Sequence, residues 1–234
     1  MKTFKFIPTT GAIALSILLL AGCEADETTL PTYDSTTKTT MSAAEQALCQ
    51  QQFDSLPIEQ ISEAELAALV LMREEEFLAR DVYQALYAKW NLPVFNNISK
   101  SEQQHTDAVK KLLDRYGLED FAAGHQSGIF LQVELQELYN ALTEKGLLSV
   151  TDALTVGATI EDLDIKDLLD LSTEVDNADI LWVFGNLTKG SRNHLRSFVG
   201  QLRNRGEAYV PQFISQELFN EIMATPHERG CTGN

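Results

Sequence analysis

Carboxylates and imidazoles stand in this chain at positions where a helix would otherwise carry Leu or Phe. Glu76 lies in a stripe of Leu69, Arg73, Arg80, Tyr83, Tyr87 and Trp90, and Glu102 and His105 lie three residues apart among Ile98, Val109, Leu112 and Tyr116. Glu161 follows Leu154 and Ala158 and precedes Ile165 and Leu168; His194 falls between Ile180, Phe184, Leu187 and Ser191 on one side and Phe198 and Leu202 on the other. Steps of three and four keep each set on one helical face. An ionised carboxylate taken out of water costs several kcal/mol unless it is paired, hydrogen-bonded or bound to a cation. Four helices aiming such groups inward predict one shared cation site. Oxygen and nitrogen donors without thiolate suit Fe, Mn or Zn, with one or two ions per chain.

Each residue also has a metal-free reading. Glu76 sits between Arg73 and Arg80, at the spacings of an intrahelical salt bridge. Ser99-x-x-Glu102 has the form of a capping box, which applies if the helix starts at Ser99 and fails if Asn97 is the cap. His105 fits a hydrogen-bonded core histidine. Glu161, with Asp162, Asp164 and Asp167 close by, fits a solvated acidic face, although Ala158 and Ile165 argue against it. Four coincident positions make the shared site the stronger expectation.

The elements that must position these groups are long helices, expected at roughly 62–90, 98–116, 150–171 and 177–205. Strand signals are nearly absent. Ser62-x-x-Glu65 opens the first helix as a capping box, and Gly117 and Gly206 sit where helix-ending glycines belong. Asn91-Leu92-Pro93 forces a short turn, hence antiparallel first and second helices. Residues 118–149, with a shorter helical piece near 133–145, are long enough to run the length of a bundle and leave the second and third helices parallel. The expected class is all-α, a four-helix bundle with a long crossover between helices two and three, occupying 59–213. A pre-bundle segment, 42–58, precedes it, and a short helix and tail, 214–234, follow.

Residues 1–22 read as a secretory signal, with Lys2 and Lys5 ahead of a short apolar run. Leu20-Ala21-Gly22-Cys23 resembles the bacterial lipobox, which implies cleavage before Cys23 and lipidation of its thiol. Glu24 after the cysteine leans toward the outer membrane, so the expectation is a bacterial cell-envelope protein on the periplasmic side, touching the membrane through its lipid alone. The stretch 23–41, rich in Thr, Ser and Asp, reads as a disordered tether. Cys49 and Cys231 either form a disulfide in an oxidising envelope or remain free thiols. With 34 acidic and 18 basic residues the net charge is −16, which disfavours nucleic acid as a partner and favours cations. No phosphate loop, dinucleotide fingerprint or hydrolase elbow is present. A homodimer is left open.

The stretches 72–83, 101–105, 156–161 and 190–196 resemble the ferritin-like family catalogued as domain of unknown function 2202, over about 59–213. More distantly the pattern is similar to rubrerythrins and other ferritin-like di-iron proteins, which draw one Glu from each of two helices and a Glu-x-x-His unit from each of the other two. The resemblance implies Glu76, Glu102, His105, Glu161 and His194 as ligands of Fe or Mn, with Asp164 a candidate for a further carboxylate. The chain departs from that pattern at Ser191, where the second Glu belongs. The implied function is a metal-binding protein with oxidase or peroxidase activity. Tyr83 and Tyr116 are candidates to assist it, although core packing explains both as well. Against this stand a non-catalytic bundle for metal sequestration or partner binding, and a metal-free core in which Arg73, Arg80, Arg192 and Arg196 pair with the acids.

Overall fold

The computed structural model describes residues 41–231, and its regular elements are helices throughout. In chain order they are α1 (Ala43–Ser55), α2 (Glu63–Trp90), α3 (Pro93–Arg115), α4 (Val133–Gly146), α5 (Val150–Leu171), α6 (Ala178–Arg203) and α7 (Gln216–Ala224). Residues 1–40, and with them the signal sequence and Cys23, lie outside the described part, as does nearly all of the expected tether. No described helix is long and apolar enough to cross a membrane.

Local chemistry explains the helix ends. Ser62 and Glu65 cap α2 reciprocally, as the sequence predicts. Asn91 closes α2 in the left-handed region at φ 50°, a conformation Asn tolerates. The next helix then starts at Pro93 instead of at 98. Proline at the first helical position has the right φ and no N–H to leave unsatisfied, so the turn shrinks to two residues.

The bundle consists of two helical hairpins, α2–α3 and α5–α6, packed against each other. Tyr83 on α2 reaches Gly157 on α5, while Glu65 at the start of α2 reaches Asn177 beyond the end of α5, so those two helices run antiparallel. Ser101 meets His194 and Tyr116 meets Asp179, so α3 and α6 are antiparallel too. The helices α3 and α5, which the crossover joins, are therefore parallel. Between them α4 packs on α2 and α5, and Trp90 donates its indole N–H to the Gly146 carbonyl.

Buried acids of α2 hold the crossover. Glu74 accepts from the amides of Leu131 and Gln132; Asp81 accepts from the Gly128 amide and pairs with Arg80 and His125. Asp162 of α5 accepts from Tyr209 Oη and the amides of Gln212 and Ile214, fixing the segment that leads to α7. Cys49 of α1 and Cys231 form a disulfide, which ties the N-terminal helix to the C-terminal segment.

Two apolar clusters fill the bundle. One gathers Leu69, Met72, Val109, Leu112, Leu168, Phe184 and Leu187, the other Tyr83, Phe95, Leu154, Ala158, Phe198 and Leu202. Along α2, α3 and α6 the ionisable residues 76, 102, 105 and 194 fall in the gap between them. At Gly157 the helices α5 and α6 approach so closely that a Cβ would lie 2.5 Å from the Phe198 ring. Gly157→Ala is expected to destabilise the protein by about 1–3 kcal/mol through overpacking, less up to about 1 kcal/mol of improved helix propensity. Denaturant unfolding of both proteins measures the difference.

Candidate metal centre

Four helices bring five of the expected residues to one place. His105 Nδ1 lies 2.7 Å from Glu102 Oε2 and 3.2 Å from Glu76 Oε2. His194 Nδ1 lies 2.8 Å from Glu102 Oε1 and 3.4 Å from Glu161 Oε2. Glu102 thus sits at the middle, with a histidine and then a second glutamate on either side. The two imidazoles are stacked with centroids 5.3 Å apart. All five are largely withdrawn from solvent, Glu161 completely.

The donor set fits a cation. Glu102, His105 and His194 each offer one ligand atom, and the three atoms lie within 4.8 Å of one another. Ligands about 2.1 Å from a metal lie about 3.0–3.4 Å from one another in octahedral or tetrahedral arrangement, close to the spacings seen here. Several atoms are also left over. Glu76 Oε1, Glu102 Oε1, Glu161 Oε2 and His194 Nδ1 are buried and make no hydrogen bond. The 2.8 Å approach of His194 to Glu102 is therefore a contact without hydrogen-bond alignment, as expected of lone pairs directed at a common third point.

Surrounding groups hold the ligands in place. His194 Nε2 shares a 3.0 Å hydrogen bond with Ser101 Oγ, which turns Nδ1 inward. Tyr83 donates to Glu161 Oε1 at 2.5 Å. Gly190 leaves room for His105, since a Cβ there would lie 2.5 Å from Nε2. Neither Ser101 nor Gly190 was an expected participant: both open stretches that resemble the family, but a Ser and a Gly carry no periodic signal.

The remaining expectations resolve differently. Among the described residues Arg73 bonds Asp120 and Thr106, Arg80 bonds Asp81 and Gln103, and Arg192 and Arg196 bond Glu228, so the pairing of these arginines with the inward glutamates gives way to other partners. Ser99 sits inside α3 with its hydroxyl on the Asn96 carbonyl, which removes the capping-box reading of Glu102. Tyr116 bonds Asp179 Oδ1 at 2.7 Å and Asn177, at the far end of the bundle, so it takes no part. Ser191 is buried and bonds back to the Leu187 carbonyl. Asp164 is buried one turn beyond Glu161, within electrostatic reach of Glu161, Glu76, Glu75 and Glu102.

Electrostatics without a metal is governed by protons. Burial pushes Glu76 and Glu161 up to about 7, against the pull of His105 and His194 respectively. Burial would lower His194, but Glu102 and Glu161 overcome it and raise the ring to about 10. His105 is likewise depressed by burial and lifted well above its ordinary range by Glu76 and Glu102. Burial works to raise Glu102, yet His194 and His105 hold it far below the usual carboxylate range. Between Glu102 and its neighbours the imidazolium protons supply the positive charge.

These shifts fix the sign of the pH dependence. The folded state retains protons on Glu76 and Glu161 between about 4.5 and 7, and on His194 between about 6.5 and 10, that the unfolded chain has released. Stability therefore falls as pH rises through both windows. In chelator, the thermal midpoint is expected to drop steadily from pH 5 to pH 9, and less steeply in Glu161→Gln, which removes one titrating group and one partner of His194. Melting curves across that range test it.

Comparison with known proteins agrees with the helical fold. An uncharacterized protein of Methanocaldococcus jannaschii, MJ0754, is 53% identical over 176 residues, covering 75% of this chain and 95% of its own. The crystal structure of this hypothetical protein superposes with a TM-score of 0.73 at 53% identity, covering 74% of this chain and 99% of that one. That relative belongs to an archaeon, which has no outer membrane, so the expectation of a bacterial outer-membrane location does not stand. The uncharacterized protein domain DUF2202 matches residues 65–226, and with most of its described length inside that match the chain belongs to the DUF2202 family.

Proposed function

We propose that this protein is a ferritin-like metal-binding bundle that holds Fe or Mn between Glu76, Glu102, His105, Glu161 and His194. The observation that carries the reading is the set of buried, unbonded ligand atoms converging between four helices. The up-down-down-up order, with parallel α3 and α5 joined by a crossover, supports the ferritin-like assignment. Bound Fe or Mn would supply one-electron chemistry toward peroxide or oxygen.

The chain's own groups have defined parts in this. Glu102 would hold the metal from the centre of the group, because each of its oxygens faces a different histidine. His105 and His194 must release protons before their Nδ1 lone pairs can bind, so affinity rises with pH. Tyr83 orients Glu161 and keeps one of its oxygens occupied. The two apolar clusters on either side exclude water from the layer.

Ser191 favours a second reading, metal binding without turnover. Glu76, Glu102 and Glu161 supply three negative charges, one short of what two divalent ions require, and Ser191 adds none. One ion balances the site if one glutamate keeps its proton, and two need an additional anion.

Elemental analysis of the full chain after anaerobic reconstitution with Fe(II) or Mn(II) is the test. One or two equivalents per chain are expected, lost in Glu102→Ala, with a metal-dependent stabilisation of about 4 kcal/mol at a thousandfold excess over the dissociation constant. No bound metal in the wild type would refute the proposal. Hydrogen peroxide consumption that disappears in Glu102→Ala separates the redox reading from sequestration.

A further inference from the structure

Solvent touches the converging residues on their histidine side. The side chains of His105 and His194 are 13% and 10% exposed, whereas those of Glu76, Glu102 and Glu161 are exposed by 1% or less. Both imidazoles lie on the seam between α3 and α6, where His105 approaches Gly190 and His194 meets Ser101. Gly190, His194 and Ser197 step by four and three, so they form one row of α6 along that seam.

The C-terminal segment runs antiparallel beside this row. His227 Nε2 lies 3.4 Å from Ser197 Oγ, the Glu228 backbone exchanges two hydrogen bonds with the Asn193 side chain at 2.9 and 3.1 Å, and Lys189 donates to the Gly230 carbonyl. Arg196 fastens the start of the segment through the Ile222 carbonyl and Thr225 Oγ1. Its other end is Cys231, bonded to Cys49 of α1. That helix is seated on both sides of the seam: Gln50 and Leu56 accept from Lys111 and Arg115 of α3, and Phe53 packs on Trp182 of α6.

Between its two ends the segment is held by half-exposed groups. The Glu228 carboxylate pairs with Arg192 and Arg196, but it is 30% exposed and Arg192 is 25% exposed, and ion pairs this wet contribute little. A segment tied at both ends docks at high effective concentration, and one tied at a single end docks far less persistently. Cys49 and Cys231 each keep part of their surface in solvent, where a dithiol can reach them.

We propose that residues 225–231 form a strap beside the mouth of the metal centre, clasped by the Cys49–Cys231 disulfide, and that a dithiol reductant opens the clasp and lets metal exchange. This rests on the metal-binding reading of the centre and adds a control to it. One thiolate of the dithiol attacks a cysteine sulfur and displaces the other cysteine as thiolate. The second thiolate of the dithiol then breaks the mixed disulfide. The dithiol loses two electrons and becomes a disulfide, while Cys49 and Cys231 become thiols.

The full chain is loaded with Mn2+ in its disulfide form, and again after anaerobic reduction with dithiothreitol and desalting. Excess chelator is added, and the Mn2+ still bound is measured over time by rapid desalting and elemental analysis. Reduction is expected to speed the loss by about tenfold or more. A gate changes entry and exit together, so the dissociation constant is expected to stay within about threefold. The double variant Cys49→Ser, Cys231→Ser is expected to lose Mn2+ at the fast rate without any reductant. Hydrogen exchange locates the opening: the Glu228 amide, bonded to Asn193, is expected to lose protection, and the Leu131 amide, bonded to Glu74, to keep it. Equal rates of Mn2+ loss in the two forms overturn the proposal. So does a dissociation constant that weakens in step with the rate while Leu131 also loses protection, since that is general loosening. A chain that binds no Mn2+ in either form fails the metal reading itself and takes the strap's role with it, a result distinct from bound Mn2+ lost at equal rates.

Discussion

Three glutamates share a dry layer with too little positive charge, and the rest of the bundle is arranged around that imbalance. Glu76, Glu102 and Glu161 enter from α2, α3 and α5; among the described residues the ion-pair partners they face are His105 and His194. A proton neutralises one acid at one distance, whereas a divalent ion can sit among all of them. On the proposed reading the layer has two ways to meet the same electrostatic demand, protons or a cation, and pH and metal supply decide between them.

Apolar packing alone would not preserve this layer. Were the two apolar clusters continuous, burying additional leucine at these positions would be the more stable solution. Instead, three of the five converging side chains have a support of their own: Ser101 on His194, Tyr83 on Glu161, and the bare face of Gly190 beside His105. Tyr83 itself belongs to the apolar cluster through Phe95 and Phe198, so the polar layer and the packing beside it share a residue. Rigid placement of ligands is what a metal site requires and what a merely tolerated polar layer does not.

Much of the bundle was legible because helical periodicity is a strong signal when it extends over five turns. The inward positions of residues 76, 102, 105, 161 and 194 followed from that periodicity. Competition between partners was not legible. Arg73 and Arg80 flank Glu76 at salt-bridge spacing, but Asp120 and Gln103 from other parts of the chain, together with the adjacent Asp81, capture them. Asp162 was equally opaque, since its donors come from residues 209–214. The start of α3 was misplaced because Pro93 was read as a break when it serves as an opening residue. For Arg73 and Asp162 the deciding interaction is tertiary, while the sequence displays only neighbours along one helix.

The disulfide has a topological consequence. Cys49 and Cys231 are 182 residues apart, and all four bundle helices lie between them. The exposed part of the crossover, with Phe121, Ile129 and Leu131 at its surface, is the accessible place for a protease to cut. A single cut there opens a covalent ring without dividing it. The two hairpins that carry the converging glutamates and histidines would stay joined through sulfur, and only a reductant would let the halves of a nicked molecule part.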